Sequence, residues 1–216
     1  KIGATIKETW ARSPSTKPQP QGIRIMTDNN IKVVAISGSL RLDSYNRKAL
    51  RVAEGFASEA GTSVEEVSLK ELNLPLYDGD IEARGFPESV QTLKSVVESS
   101  DVLLIASPEY NHSISGALKN AIDWLSRGKN SLDGKTAAIF GASPGLFGTM
   151  RGQAHLRQIL AALNVTTASQ PQVFIRLANE AFNSDGSLQD VKLHNQLKQL
   201  INKTINLSTA LKNSNK

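Results

Sequence analysis

Ser39, Arg41, Ser44 and Asn46 fall within one short stretch, Ser37-Gly38-Ser39-Leu40-Arg41-Leu42-Asp43-Ser44-Tyr45-Asn46-Arg47. Hydroxyl and amide groups donate hydrogen bonds, and a guanidinium adds a fixed fork of positive charge that matches a phosphate. The preceding run, Ile31-Lys32-Val33-Val34-Ala35-Ile36, has the length and β-branched content of a buried strand. The following run, from Asn46 to Phe56, repeats apolar residues at helical spacing. Strand, hydroxyl-rich turn and helix together aim backbone N–H groups and a helix N-terminus at an anion. The turn reads as a phosphate cradle. The alternative is an ordinary strand-to-helix connection in which Ser44 caps the helix. The turn matches neither Gly-x-x-x-x-Gly-Lys-Ser/Thr nor Gly-x-Gly-x-x-Gly, so it is not the phosphate loop of an NTPase or the usual dinucleotide fingerprint.

The rest of the chain must build a scaffold for that turn, and its pattern alternates strand and helix. Strands are expected at 31–36, 62–69, 101–106, 136–141 and 172–176, with 101–106 the most apolar. Helices are expected at 46–56, from Pro87 to about Ser99, 116–126, 152–163 and 188–207, proline being tolerated in a first turn. Residues 72–80 read as a packed loop. Five strands alternating with five helices give a three-layer α/β sandwich around a parallel sheet. The expected order is 2-1-3-4-5, the flavodoxin-like arrangement, which binds ligands outside the carboxyl ends of its strands at the switch between strands 1 and 3.

Two further loops then reach the same rim. The loop after the third strand, Ser107-Pro108-Glu109-Tyr110-Asn111-His112-Ser113-Ile114-Ser115-Gly116, is stiffened by proline and rich in hydrogen-bonding groups. The loop after the fourth, Gly141-Ala142-Ser143-Pro144-Gly145-Leu146-Phe147-Gly148-Thr149-Met150-Arg151, carries glycines, Gly145 among them, that let backbone approach a ligand closely. A phosphate cradle, a stiff polar loop and a glycine-rich loop suit a flat heteroaromatic carrying one phosphate. Flavin mononucleotide (FMN) is such a molecule.

Three blocks in order resemble the NADPH-dependent FMN reductase family, which includes bacterial chromate, quinone and azo reductases and plant and fungal quinone reductases. They are Gly38-Ser39-Leu40-Arg41 through Asn46, Pro108-Glu109-Tyr110-Asn111 through Trp124, and Ser143-x-Gly145 through Arg151 to Gln158. The resemblance spans roughly residues 31–190 and implies a flavodoxin-like fold, bound FMN, and two-electron transfer from NADPH or NADH to quinones and similar acceptors. It places phosphate contacts on Ser39, Arg41, Ser44 and Asn46, and ring contacts on Pro108, Glu109, Tyr110, Asn111 and Ser143. It also implies a homodimer or homotetramer. Thr149 stands where relatives often have glycine, and Ala154 where many have an aromatic residue.

Other residues carry paired readings. His112 reads as a polar loop residue or a proton donor, and His155 and Arg157 as serving structure or a subunit contact. Trp124 reads as core. Arg151 is left between an NADPH phosphate and an intersubunit carboxylate. A charge patch for docking a redox partner, as a non-catalytic FMN electron carrier needs, is not evident. The free-flavin or azo-compound reductase remains the alternative substrate class.

Composition bounds the rest. The 216 residues have room for one sizeable domain, assigned to 31–210, and contain no cysteine, which excludes thiolate catalysis and cysteine metal sites. Three scattered histidines argue against a histidine metal site. Residues 1–30 hold +3 of the formal net charge of +5, so the remainder is nearly balanced and gives little support for nucleic-acid binding. Their stretch Ser13 to Gly22 is polar and proline-rich and reads as a disordered, dispensable extension, with a transit peptide as the minority reading and Met26 placed as a possible native start. No apolar run approaches the ~20 residues that span a membrane, and a cytoplasmic protein is expected.

Overall fold

The computed structural model describes residues 31–214; the N-terminal extension lies outside the described residues. Its centre is three parallel strands. β1 (Lys32–Ser37), β3 (Val102–Ala106) and β6 (Thr136–Ala142) are buried almost throughout, as near-continuous apolar runs covered on both faces must be. β2 (Ser63–Val67) forms the edge beside β1 and is largely solvent-facing, which fits its alternating, acid-rich sequence. The order β2-β1-β3-β6 follows the flavodoxin-like expectation.

The fifth position is shared. β7 (Thr166–Thr167) pairs with the start of β6, and β8 (Val173–Ile175) pairs with its end. Residues 168–172 leave the ladder between them, and Pro171 has no N–H to contribute to one. Arg157 secures this excursion by donating from Nη1 to the Ala168 carbonyl at 3.0 Å, a structural role within the chain.

One helical layer contains α1 (Tyr45–Glu59) and α7 (Val191–Ser214), whose apolar faces cover one side of the sheet. α4 (Glu88–Glu98), α5 (Gly116–Ser126) and α6 (Met150–Ala162) cover the other. Two short helices, α2 (Leu69–Leu72) and α3 (Gly79–Ala83), add to the five expected, so the stretch read as a packed loop is partly helical. Ser68 and Asp78 start them by accepting N–H bonds at their N-caps. Trp124 is fully buried and donates from Nε1 to the Pro75 carbonyl at 2.8 Å, so it belongs to the core.

Register sets up the site. Ser37 lies opposite Ala106, and Ala106 opposite Phe140, so β1, β3 and β6 release their chains at one edge.

Candidate functional site

The turn after β1 runs from Gly38 to Ser44, and Ser44 is the N-cap of α1, its Oγ accepting from Asn46 N at 3.2 Å. The capping reading and the cradle reading are compatible, because the same hydroxyl keeps its own proton to donate. Ser39 Oγ accepts weakly from Arg41 N at 3.4 Å. The backbone N–H groups of Leu42, Asp43 and Tyr45 have no acceptor among the described residues. Arg47 pairs with Glu66 at 3.3 Å and Lys48 with Asp43 at 3.1 Å. Arg41 has no carboxylate partner among the described residues. Free N–H groups, a helix N-terminus and an unpaired guanidinium fit an anion at this turn.

Asn46 sits differently from the sequence reading. Its side chain is buried and closes a two-way link with the end of β6, Nδ2 donating to the Ala142 carbonyl at 3.0 Å and Oδ1 accepting from Ala142 N at 2.9 Å. It ties the first loop to the third and leaves its amide little capacity for a ligand.

After β3 the chain folds into a hairpin that the sequence reading lacked. β4 (Glu109–Tyr110) pairs with β5 (Ser113–Ile114), turned by Asn111 and His112 at φ 49° and 66°. Two successive positive φ values make the tight hairpin turn whose twist suits paired strands, and asparagine tolerates them best after glycine. The missing signal was glycine, since His112 fills a place glycine usually takes. Ser115 fastens the hairpin to the cradle, donating from Oγ to the Gly38 carbonyl at 2.6 Å and capping α5 at Leu118 N.

The third loop begins where Ser143 N donates to the Ile175 carbonyl at 3.0 Å, and Ser143 Oγ accepts from Gly145 N at 3.1 Å. It ends at α6, where Glu109 accepts from Arg151 and Gly152. Burial works to raise the Glu109 pKa, but the Gly152 N–H and the Arg151 guanidinium and N–H outweigh it and hold the carboxyl below its ordinary range. Arg151 is therefore paired inside its own chain, Nε to Glu109 Oε1 at 2.8 Å, with its guanidinium over the Phe147 ring at 4.6 Å. His155 Nδ1 lies 3.2 Å from Ser113 Oγ and helps hold the hairpin on α6.

The three loops enclose a cleft of about 80 Å³ lined by Ser39, Arg41, Ser44, Asn46, Pro108, Glu109, Tyr110 and Ser143. Tyr45, Ala142 and Pro144 also line it and were missed as single residues, although each neighbours an expected one. Asn111 and Gly145 are outside the lining. A second depression of about 320 Å³ adjoins it, sharing Arg41 and Tyr110. A larger hollow, about 1050 Å³, opens between the glycine-rich loop and α7 and contains no part of the cradle. Among the described residues no group of three His, Cys, Asp or Glu side chains converges on a metal position.

The model of the NADPH-dependent FMN reductase family matches residues 31–180, which contain all three loops. The chain belongs to that family. An NAD(P)H-dependent FMN reductase of Pseudomonas aeruginosa is 46% identical over 172 residues, covering 79% of this chain and 91% of its own. A probable NADPH:quinone oxidoreductase of Oryza sativa subsp. japonica is 41% identical over 177 residues, covering 79% and 88%. Among solved structures, the flavoenzyme NAD(P)H:(acceptor) oxidoreductase FerB of Paracoccus denitrificans superposes with a TM-score of 0.75 at 36% identity, covering 83% of this chain and 98% of that one. As a member of the FMN reductase family, the chain is an oxidoreductase that works with FMN and NAD(P)H. The donor set found at the α1 turn, all neutral or cationic, is chemically what a flavin phosphate requires.

Proposed function

We propose that the cleft binds FMN with its phosphate on the α1 turn, and that the chain passes two electrons from NADPH or NADH to a quinone or similar small acceptor. The observation that carries this reading is Arg41, a cation without a carboxylate partner among the described residues, beside the free N–H groups of the turn. FMN held by the α1 turn would supply the hydride-transfer redox chemistry that links nicotinamide and acceptor.

The chain's own residues bind and orient. Ser39, Arg41 and Ser44 hold the phosphate. Pro108, Tyr110, Ser143 and Pro144 wall the cleft above it, and Tyr110, 50% exposed, leaves its outer side open to solvent and small molecules. No acid–base dyad is required of the protein, because hydride transfer is cofactor chemistry and the acceptor's proton is available from water. Quinones are favoured as acceptors because the rice relative is named for quinone reduction at 41% identity. The same reading takes residues 31–210 as the functional unit, residues 1–30 as dispensable, and a cytoplasmic homodimer or homotetramer as the working form. Exposed Leu146, Phe147 and Met150, which line the hollow between the glycine-rich loop and α7, support association through that face.

An absorbance scan of purified protein tests the proposal. The expected result is a yellow protein that NADPH or NADH bleaches and a quinone re-colours. Colourless protein that takes up no added FMN would end the reading. Coloured protein indifferent to both nicotinamides would make it an electron carrier instead.

A further inference from the structure

The N-terminus of α6 cannot cap itself. Thr149, at the N-cap position, has φ 72° and ψ 17°, and its side chain makes no cap hydrogen bond. Left-handed backbone is an outlier for a β-branched residue, and it turns the side chain away from the cap geometry. The Thr149 hydroxyl instead accepts from Gln153 Nε2 at 3.0 Å. Orphan N–H groups at a buried helix end must find other acceptors. Met150 N reaches the Phe147 carbonyl at 3.1 Å. Arg151 N and Gly152 N both donate to Glu109 Oε2 at 3.0 Å. Glu109 Oε1 accepts from Arg151 Nε at 2.8 Å, and the Glu109 side chain is only 8% exposed.

A carboxylate from β4 thus does what an N-cap residue normally does for its own helix, and adds a full negative charge at the positive end of the dipole. Its location gives that cap a second consequence. Glu109 sits between Pro108 and Tyr110, which line one side of the cleft. α6 follows directly on the loop of Ser143 and Pro144, which line the other. Gly152 makes the approach possible, since a Cβ there would come within 3.1 Å of the Ser113 carbonyl oxygen and 3.4 Å of Glu109 Cβ.

We propose that Glu109 is a positioning residue that sets the width of the FMN cleft by bracing the β4–β5 hairpin against the N-terminus of α6. Both carboxylate oxygens face α6, so the ring contact implied by family resemblance is not assigned to this side chain. The inference rests on the FMN reading of the cleft.

The test is a fluorescence titration of apoprotein with FMN for wild type, Glu109→Gln, Arg151→Leu and the double variant. Urea melts and the midpoint potential of bound FMN are measured alongside. Each single change is expected to weaken FMN about 3- to 10-fold, within what one charged hydrogen bond can supply. The double variant should bind no more weakly than the weaker single, because both residues act through one brace. The potential should stay unchanged, since both Glu109 oxygens are engaged by α6 rather than by the ring. Additive losses, or a shifted potential in Glu109→Gln, would make Glu109 a ring contact and overturn the proposal. Lower stability with unchanged FMN affinity would reduce it to a structural cap and overturn it equally. If Glu109→Gln does not fold, Arg151→Leu decides alone, because its side chain is 39% exposed and its removal leaves the backbone cap intact. Unchanged FMN affinity in that variant refutes the brace. A wild-type protein that binds no FMN removes the cofactor reading itself, which is a separate failure.

Discussion

The N-termini of α1 and α6 meet the same rim of the sheet and are finished in opposite ways. Ser44 caps α1 from the adjacent position in sequence, and the N–H groups just before the helix remain without internal acceptors. α6 is capped by Glu109, 42 positions before Arg151, and its first N–H groups are taken. A local cap leaves a positive helix end available to a ligand, whereas a remote carboxylate neutralises it. Of these two helix ends, the α1 end is open to a phosphate. The other has become a joint between loops.

The sharpest way to break the α6 joint is to disturb the strand end below it. A Cβ added at Gly141 would run into the Ser107 carbonyl oxygen and Thr149 Oγ1. One collision is with backbone, which cannot rotate aside. Gly141→Ala should cost about 3 kcal/mol, at the upper end of ordinary overpacking, read as a lower urea midpoint. A midpoint within 0.5 kcal/mol of wild type would mean that β6 and the α6 turn move independently.

On the α1 side the corresponding blow is to the ligand rather than to the fold. A hydrogen bond to a charged group is worth roughly 1.5–3 kcal/mol, and about 1.4 kcal/mol is tenfold in affinity. Arg41→Ala should therefore weaken FMN about 10- to 100-fold. Riboflavin, which lacks the phosphate, should bind the variant and wild type alike. Equal weakening of both ligands would show that the guanidinium does not serve the phosphate.

These two regions also separate what the sequence revealed from what it hid. Ser39, Arg41 and Ser44 could be read because strand, cap and helix are contiguous, and local propensity specifies their arrangement. The order of the four long strands was legible from the alternation of strand and helix together with the commonest doubly wound arrangement. The hairpin at Asn111 and His112 was hidden, since two-residue strands have no periodicity to detect. The fifth strand expected at 172–176 is β8 alone, and β7 was missed because the Thr166–Thr167 piece is too short to register. The roles of Glu109 and Asn46 depend on partners 42 and 96 positions away, which no local pattern encodes.

A smaller effect sharpens the α1 side. Ser44→Ala removes an N-cap acceptor and should destabilise the fold by about 1 kcal/mol, whereas Ser44→Gly should cost only a few tenths. Thermal or urea melts of the apoprotein check the pair. Equal losses in the two variants would mean that the hydroxyl is not acting as a cap.

The smallest effect is a pH dependence on the α6 side, and its sign follows from the Glu109 carboxylate. Its folded pKa lies below the ordinary 4.5 because the Gly152 N–H and the Arg151 guanidinium and N–H favour the charged form more than burial disfavours it. The stability it contributes is therefore complete above the unfolded value and is lost as pH falls through the lowered folded value. Wild type and Glu109→Gln should differ by a constant amount from pH 8 down to about 5. The difference should then shrink on further acidification, as wild type acquires the proton that the amide imitates. The comparison is a set of urea melts of both proteins at matched pH, and the local cap of α1, having no carboxylate, predicts no such convergence for Ser44→Ala. Curves for wild type and Glu109→Gln that remain parallel below pH 4.5 would show that the α6 cap does not depend on the charge of Glu109.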